Sequence, residues 1–424
     1  NYRRRPLGAR STRFGLGGMT GGFPDGGPQK FALAVDLTRI TFPYLALISI
    51  VSLLGGILNS LDRFWVNAAA PILLNICMIV AVLVFRGATP YETSYTQAVA
   101  VTVSGAMQLL WLMWACAREG VVLWPRMPRL TPRVKQMLIL ILPAALGQGA
   151  IQFNLLISTS LAARYLQQGA VSYLYYADRL NQLPLGLIGI GVGTAILPAL
   201  SRQIGSGNEG AAKETQNRAI ELALFLSLPA AVALCVAATP LIRGLLQHGV
   251  FTPADTIGAA SALAVFSLGV PAYVLIKVLT PGFYARQDTK TPVRVALFSM
   301  LFNLVGNLIL IWPLGHVGVA AATAFSAWVN VIILYWLLHR DDHLQADARL
   351  MSRGARIVVA SAVMGVALWF MGPYSDHYMA GSFLTRVIAL SLLCGGGALV
   401  YAVAIFGLGA YRLSELKALV SRRK

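Results

Sequence analysis

The sequence has 424 residues, of which 57% are hydrophobic and 12% are charged, and its mean hydropathy is +0.68. Soluble globular proteins carry about 25% charged residues, so this composition excludes a soluble domain and indicates a polytopic membrane protein. The formal net charge is +18, which would suggest a nucleic-acid partner in a soluble protein. Here its meaning depends on which loops carry the basic residues. The four cysteines show no spacing typical of a metal site or a disulfide framework.

The chain begins with a segment rich in Gly, Arg and Pro, for which we predict a disordered tail and outer loop over residues 1–38. Eleven apolar stretches follow, each long enough to cross a bilayer as a helix of about 20 residues. Their length excludes the alternating pattern of a membrane β-barrel, so the predicted fold class is an all-α polytopic membrane protein. The predicted spans are 40–61, 66–85, 97–117, 137–162, 171–198, 217–238, 256–280, 292–313, 317–338, 354–372 and 385–407.

Lys and Arg are distributed unequally between the loops on the two sides of these spans. One set of loops, together with the C-terminal tail, carries 18 of them, and the opposite set carries three. Because Lys and Arg accumulate in cytoplasmic loops, the first set is predicted to be cytoplasmic. We therefore expect a basic cytoplasmic loop at 118–136, a basic cytoplasmic tail at 408–424 and no nucleic-acid partner.

The basic N-terminal tail is an exception, because eleven spans with a cytoplasmic C-terminus place it outside. An internal repeat offers a reason. The stretch from Pro43 to Asn75 resembles the stretch from Pro271 to Asn303, as in a transporter with two parallel halves. Three spans precede the later copy within its half and none precedes the earlier copy, so we expect three N-terminal helices to be missing. A miscounted helix is the alternative.

The leading candidate for a binding residue is Arg179, which follows Tyr175-Tyr176-Ala177-Asp178. It lies about eight residues into its span, which is roughly 12 Å below the outer edge at ~1.5 Å per residue. Ionisable residues at such depth are costly and mark function by default, and a guanidinium suits bidentate binding of phosphate or carboxylate. The alternative is structural pairing of Asp178 and Arg179 with neighbouring helices.

Mid-span amides form a second class of polar residues. Gln152 and Asn154, on the span before Arg179, can line the same cavity. Asn303, Asn307 and Asn330 are predicted to form interhelical hydrogen bonds.

Two further ionisable residues lie near span ends. Lys277 is predicted to extend its amine to the cytoplasmic interface, and Glu221 to form a surface pair with Arg218 three residues before it. Nothing resembles a nucleotide-binding loop, a Ser/His/Asp set or a pair of catalytic carboxylates. The sequence therefore favours a transporter over an enzyme and predicts no catalytic residue, cofactor or metal.

Four runs of residues resemble the MurJ (MviN) family of lipid II flippases. They are Thr41-Phe42-Pro43-Tyr44, Ala70-Pro71-Ile72-Leu73-Leu74-Asn75, Tyr175-Tyr176-Ala177-Asp178-Arg179-Leu180 and Pro281-Gly282-Phe283-Tyr284-Ala285-Arg286-Gln287-Asp288-Thr289-Lys290-Thr291-Pro292-Val293. The resemblance implies a fourteen-helix protein of the multidrug/oligosaccharidyl-lipid/polysaccharide exporter superfamily. In this fold two six-helix lobes enclose a central cavity, and two extra C-terminal helices form a lipid groove.

On that plan, eleven of the fourteen helices are expected here. Residues 39–117 correspond to the second half of the N-lobe, with three helices, and 137–338 to the six-helix C-lobe. Residues 339–407 correspond to the two extra helices. The resemblance implies transport of undecaprenyl-diphosphate-linked peptidoglycan precursor from the inner to the outer leaflet of the bacterial inner membrane by alternating access. The expected partners are lipid II and membrane lipids. The oligomeric state is open, with a monomer expected.

The resemblance also assigns roles to residues. Arg179 matches the family's cavity arginine, with Asp178, Gln152 and Asn154 as its expected companions in substrate binding. A hinge that lets the lobes rock is expected at Pro184, Gly186, Gly189 and Gly191, and a structural role at Pro281, Gly282, Arg286, Asp288 and Pro292.

Some members of the family have an acidic sodium site, but 137–162 and 292–338 contain no Asp or Glu, so sodium coupling is not expected. Two alternatives to a lipid II flippase stay open. One is another lipid-linked oligosaccharide or drug exporter of the same superfamily, and the other is a non-functional fragment of the flippase.

Overall fold

The computed structural model describes residues 27–410 apart from 88, 122–130, 133, 136–151, 153–155, 168 and 380. The described residues are helical, with no strand among them, and they divide into two compact units. Unit 1 covers residues 1–138 and unit 2 covers residues 139–424.

Unit 1 contains three helices: α1 (Gly27–Ser60), α2 (Phe64–Val84) and α3 (Pro90–Arg118). Its core is small and aliphatic, and Leu54, Leu58 and Leu112 are almost completely buried in it. Long runs without polar side chains form helices here because the bilayer leaves the backbone no other hydrogen-bond partner. Unit 1 therefore has the three helices predicted for 39–117.

Unit 2 contains ten helices and one π-helical turn. They are α4 (Ala170–Pro184), the π-turn (Leu185–Gly189), α5 (Ile190–Gly205), α6 (Glu209–Val236), α7 (Ala238–Leu246), α8 (Pro253–Ser267), α9 (Val270–Tyr284), α10 (Lys290–Leu314), α11 (His316–Arg340), α12 (Ala348–Met379) and α13 (Phe383–Gly407). A further helical stretch is described at 156–165.

Small residues allow the central helices of unit 2 to approach closely. Ala259, Ala262 and Ala320 are completely buried where α8 and α11 pack. A Cβ atom on Gly318 would lie 2.1 Å from the carbonyl oxygen of Leu310, so only glycine fits at the start of α11. In lipid, no hydrophobic driving force brings helices together. Close packing of small residues is therefore a main source of helix association.

Nine helices among the described residues are long and apolar enough to cross a membrane. They match nine of the eleven predicted spans. The predicted span 137–162 lies mostly outside the described residues. The predicted span 171–198 is helical throughout but is divided by the π-turn into α4 and α5.

The six helices predicted to run toward the cytoplasm all end in the same way. α1, α3, α5, α9, α11 and α13 each close with a Schellman motif. In α1, for example, the Arg63 N–H donates to the Leu58 carbonyl at 2.9 Å and Asp62 has a φ of 60°. In α9, the Asp288 N–H donates to the Phe283 carbonyl at 3.1 Å and Gln287 has a φ of 62°. The loop of the predicted repeat thus recurs in both units.

Two details differ from the sequence-based expectations. α1 begins at Gly27, so part of the predicted tail over 1–38 is helical. Residues 32–38 contain no Gly or Pro that would end the helix earlier. The structure also confirms the predicted pairing of Glu221 with Arg218, but its predicted place at the surface is wrong, because Glu221 is buried with 3% of its surface exposed.

Glu221 belongs to a cluster of charges that joins α6 to the start of α12. Its carboxylate is 2.8 Å from Arg353, 3.6 Å from Arg349 and in close contact with Arg218. Arg218 also pairs with Asp347. We call these five residues the α6–α12 ion cluster. The partners of Glu221 on α12 lie more than 120 residues away in the chain, so spacing along α6 could not reveal them.

Candidate functional site

Unit 2 contains a cavity of about 660 Å³, whose wall is formed by α4, α8, α9, α10, α11 and the helical stretch 156–165. This volume is within the range of small-molecule binding sites. Neutral polar side chains are spread over its wall, among them Ser158, Gln182, Ser299, Asn303, Thr323 and Asn330. Such groups can exchange hydrogen bonds with hydroxyl and amide groups of a ligand.

Arg179 lines this cavity from α4, and its side chain is exposed. The guanidinium carbon lies 4.9 Å from the centre of the Tyr175 ring, one turn earlier on the same helix. This cation–π contact holds the side chain without using its N–H donors. Within the described part of the chain, no carboxylate lies at ion-pair distance from Arg179, so its charge is available to a ligand.

Asp178 lines the same cavity but is engaged differently. Its carboxylate accepts a hydrogen bond from the side-chain amide of Gln182, one turn further along α4. Asp178 and Arg179 therefore do not neutralise each other by direct contact. Both residues therefore line one cavity, where Arg179 contacts the Tyr175 ring and Asp178 contacts the Gln182 amide.

The other two residues expected at this site are placed less fully. Gln152 is exposed and is not among the residues that line the cavity. Asn154 lies outside the described residues. The preceding span nevertheless reaches the cavity through Ser158 and Thr159, six and seven residues beyond Gln152.

Two of the three predicted interhelical amides, Asn303 and Asn307, form a network beside the cavity, whereas the buried Oδ1 atom of Asn330 has no hydrogen-bond partner among the described residues. The Asn307 amide donates to Ser158 Oγ at 2.8 Å and to Asn303 Oδ1 at 3.1 Å, and the Asn303 amide donates to Thr323 Oγ1 at 3.2 Å. The network connects α10, α11 and the 156–165 stretch, as predicted for such residues. No group of three or more potential metal-ligating His, Cys, Asp or Glu side chains occurs among the described residues.

The predicted hinge coincides with the π-turn. α4 ends at Pro184, the turn contains Gly186 and Gly189, and Gly191 lies in α5. Proline lacks the backbone N–H that would donate to the helix, and a π-turn interrupts the regular pattern of α-helical hydrogen bonds. π-turns occur frequently at functional sites. A side chain on Gly186 would meet nothing within 4 Å, whereas one on Gly189 would lie 2.8 Å from Cδ of Lys277.

The run from Pro281 to Pro292, for which a structural role was expected, packs within the fold and is not part of the cavity wall. Pro281, Gly282 and Pro292 are buried. Arg286 donates to the Gly282 carbonyl at 2.8 Å and pairs with Glu209. Asp288 accepts from the N–H groups of Lys290 and Thr291 at 3.1 and 3.0 Å.

Asp288 therefore caps the start of α10. Hydrogen bonds from the side chain and backbone of Thr291 lower the pKa of the Asp288 carboxyl.

Several wall residues were not predicted from the sequence. Tyr273 and Ile276 on α9 line the cavity, and the Tyr273 hydroxyl donates to the Thr323 carbonyl at 3.3 Å. Gln182 follows Asp178 by four residues, so the two side chains lie on the same face of a helix. This spacing could have predicted that Gln182 also lines the cavity. No comparable signal links α9 to α4, because the two helices come to line one cavity only in the fold.

Comparisons with known proteins bear on this site. The family model described as "Lipid II flippase MurJ" matches residues 19–389. A "Probable lipid II flippase MurJ" from Rhizobium meliloti (strain 1021) is 40% identical over 410 residues, which cover 95% of this chain and 75% of that protein. Another with the same description, from Vibrio cholerae serotype O1, is 38% identical and covers 97% of this chain and 78% of that protein.

Solved structures show the same fold. A lipid II flippase MurJ in an inward closed conformation superposes with a TM-score of 0.71 at 23% identity, covering 91% of this chain and 76% of that one. An inward-facing multidrug resistance transporter of the MATE family, from the MOP superfamily, superposes with a TM-score of 0.64 at 18% identity.

Proposed function

The chain belongs to the MurJ family of lipid II flippases, which are multi-span proteins of the bacterial inner membrane, and from this premise we propose how it binds and moves its substrate. The substrate is the undecaprenyl-diphosphate-linked peptidoglycan precursor. It moves from the inner to the outer leaflet by alternating access, without any chemical change, and the protein acts as a transporter with a cytoplasmic C-terminus.

The observation that carries this proposal is the state of Arg179. It is an exposed guanidinium within a predicted span, it lines a cavity of about 660 Å³, and no carboxylate among the described residues pairs with it. A cation in a span is costly unless it has a partner. A diphosphate that enters the cavity supplies that partner and receives charge-assisted hydrogen bonds from the N–H fork.

The neutral polar wall suits the remainder of the head group. Sugar and peptide groups present hydroxyls and amides, which Ser299, Asn330 and Gln182 can recognise from three different helices. The polyprenyl chain stays in the lipid phase, where its apolar surface remains in contact with lipid tails and out of water. The hydrogen bond from the Gln182 amide to the Asp178 carboxylate fixes the orientation of Gln182 toward the head group.

The π-turn is proposed as the hinge of the transport cycle. Its backbone is already released from regular α-helical hydrogen bonding, so bending there breaks fewer bonds than elsewhere in the helix. Pro184 and Gly186 lie within or beside it and allow this bend.

Reconstituted transport tests the proposed substrate. The protein is placed in liposomes with fluorescent lipid II or with a polyprenyl-diphosphate that carries a different oligosaccharide, and accessibility of each lipid in the opposite leaflet is measured. We expect lipid II to be transported in preference. Equal transport of both lipids would favour the other candidate, a general exporter of lipid-linked oligosaccharides.

A further inference from the structure

Asn330 lines the cavity from α11 and is buried, with 8% of its surface exposed. Its Oδ1 atom accepts no hydrogen bond from any residue that the structure describes. Buried carbonyl oxygens almost always have a donor as partner, because an unpaired one has lost its bonds to water without replacement. Asn330 therefore presents an unsatisfied acceptor to a ligand in the cavity.

The other polar groups of the wall differ from Asn330, because they have partners within the protein. The hydroxyls of Ser299 and Ser326 each donate at 2.9 Å to a backbone carbonyl of their own helix. The side chains of Asn303 and Thr323 bond to each other. Of the described residues that line the cavity, Asn330 alone has a buried polar side-chain atom without a partner. It therefore gains most from a ligand that carries a donor.

The surroundings of Asn330 are apolar. Ala327 lies three residues before it on the same face of α11, a spacing that places Cβ atoms about 5–6 Å apart. Ile276 lines the cavity from α9, and both residues pack in the apolar cluster that contains Leu334. Leu334 is one turn beyond Asn330 and does not line the cavity, so Asn330 is the last wall residue of α11. This end of the cavity thus combines one acceptor with an apolar contact surface.

This combination selects among the groups that a head group can present. A hydroxyl supplies a donor but no apolar part, and an acetyl ester supplies a methyl group but no donor. An acetamido group supplies both, because its N–H donates and its methyl group can be buried against Ala327 and Ile276. N-acetylated sugars carry this group.

Asn330 and Arg179 differ little in depth. α4 packs against α11, and both residues line the same cavity. At ~1.5 Å per residue, Arg179 is about 14 Å from the start of α4 and Asn330 about 21 Å from the start of α11, a difference of about 7 Å. Both helices are predicted to start at the outer side. A diphosphate and the first sugar that it carries extend over such a distance.

Resting on the proposed function, we propose that the end of the cavity at Asn330 is a binding site for the acetamido group of an N-acetylated sugar. Asn330 Oδ1 accepts the hydrogen bond of the acetamido N–H, and Ala327 and Ile276 contact the methyl group. Arg179 binds the diphosphate that carries the sugar. The site gives the protein a preference for N-acetylated head groups, which a phosphate-binding arginine alone does not provide.

The test compares two lipids that differ in one donor. One is undecaprenyl diphosphate N-acetylglucosamine, and in the other an ester oxygen replaces the acetamido N–H at the same carbon. Binding of each to the purified full chain in nanodiscs is measured by native mass spectrometry. We expect the unmodified protein to bind the N-acetyl lipid roughly tenfold more tightly, the effect of one buried hydrogen bond.

Two variants separate the acceptor from the apolar surface. Asn330→Leu has a similar shape and no acceptor, so it should bind both lipids with equal affinity. Its Tm should not fall, since removal of an unpaired oxygen breaks no hydrogen bond. Ala327→Leu fills the space beside Asn330 and should weaken binding of both lipids equally, because both carry the methyl group.

Asn217→Leu is the matched control. Asn217 is also buried, and its Oδ1 atom also lacks a partner among the described residues, but it lies on α6 and does not line the cavity. Its amide donates to the Gln345 carbonyl at 2.8 Å. The variant should therefore have a lower Tm and keep the tenfold preference for the N-acetyl lipid.

The results that would overturn the proposal are distinguishable from a failure of the proposed function. If the unmodified protein binds the two lipids equally well, or if Asn330→Leu keeps the tenfold preference, Asn330 is not an acetamido contact and the proposed function stands. If the unmodified protein binds neither lipid, the proposed function fails and the acetamido site fails with it.

Discussion

Arginine has opposite surroundings in the cavity of unit 2 and in the α6–α12 ion cluster. In the cluster, Arg218 and Arg353 contact the buried carboxylate of Glu221, and Arg218 also contacts Asp347. In the cavity, Arg179 is exposed and has an aromatic ring as its neighbour. The same residue type therefore stabilises the fold in one place and is available to a ligand in the other. The presence of a partner distinguishes the two roles, and position in the chain does not.

The largest effect is expected from breaking the cluster. Glu221→Gln removes the negative charge shared by three arginines, and loss of one member of a buried pair typically costs about 3–5 kcal/mol. We expect a marked decrease in Tm, measured by thermal unfolding of the purified protein in detergent. Glu214→Gln, on an exposed position of the same helix, is the matched control and should leave Tm unchanged. Equal Tm values for the two variants would show that the cluster contributes nothing.

The next effect concerns the cavity. Arg179→Gln should weaken binding of lipid II by about 2–3 kcal/mol, because hydrogen bonds between charged groups are among the stronger ones. Arg179→Lys should recover only part of this affinity, since an ammonium lacks the bidentate fork. Titration of lipid II into the reconstituted variants measures both. Full recovery by lysine would contradict a bidentate contact.

A smaller effect is expected at the cap of α10. Asp288→Ala should destabilise the protein by about 1 kcal/mol, as for loss of a helix N-cap. The pKa of Asp288 is lowered in the folded state, so its contribution is present above the unfolded pKa of about 4 and is lost as pH falls through the folded pKa.

The Tm difference between the unmodified protein and Asp288→Ala should therefore shrink at acidic pH. Asp288→Asn keeps a capping side chain and cannot titrate, and it should be close to the unmodified protein at pH 7. A difference that is constant from pH 7 to pH 3 would show that the charge of Asp288 is irrelevant.

The smallest effect on stability is expected at the π-turn. Gly186→Ala should stabilise the helix by about 0.5–1 kcal/mol, because the added methyl meets no neighbour and alanine favours helix. If the turn bends during transport, the same change should slow lipid II translocation in liposomes. Gly354→Ala, also in open space within a helix, should raise Tm similarly without slowing transport.

The sequence indicated much of this arrangement because the bilayer limits what an apolar chain can form. Length and apolarity alone predicted the nine spans recognised among the described helices, and depth in a span identified Arg179. The amides Asn303 and Asn307 followed from the same reasoning. The MurJ resemblance, which rested on runs such as Tyr175 to Leu180, is confirmed by the family comparison.

What the sequence could not reveal depends on contacts between distant segments. Glu221 has a basic residue three positions before it, which suggests a surface pair, but its partners on α12 come from residues 349 and 353. The position of Lys277 near the end of a span likewise suggests an interfacial role. Only the packing of α9 on the π-turn shows that its stem lies over Gly189.

The most direct test asks whether Arg179 binds the substrate while Arg353 stabilises the fold. Lipid II affinity and Tm are determined on the same preparations of Arg179→Gln and Arg353→Gln. We predict that Arg179→Gln loses affinity at an unchanged Tm, and that Arg353→Gln loses Tm while the affinity of the remaining folded protein is unchanged. A lowered Tm with normal affinity in Arg179→Gln would contradict the account, because it would make Arg179 a structural residue.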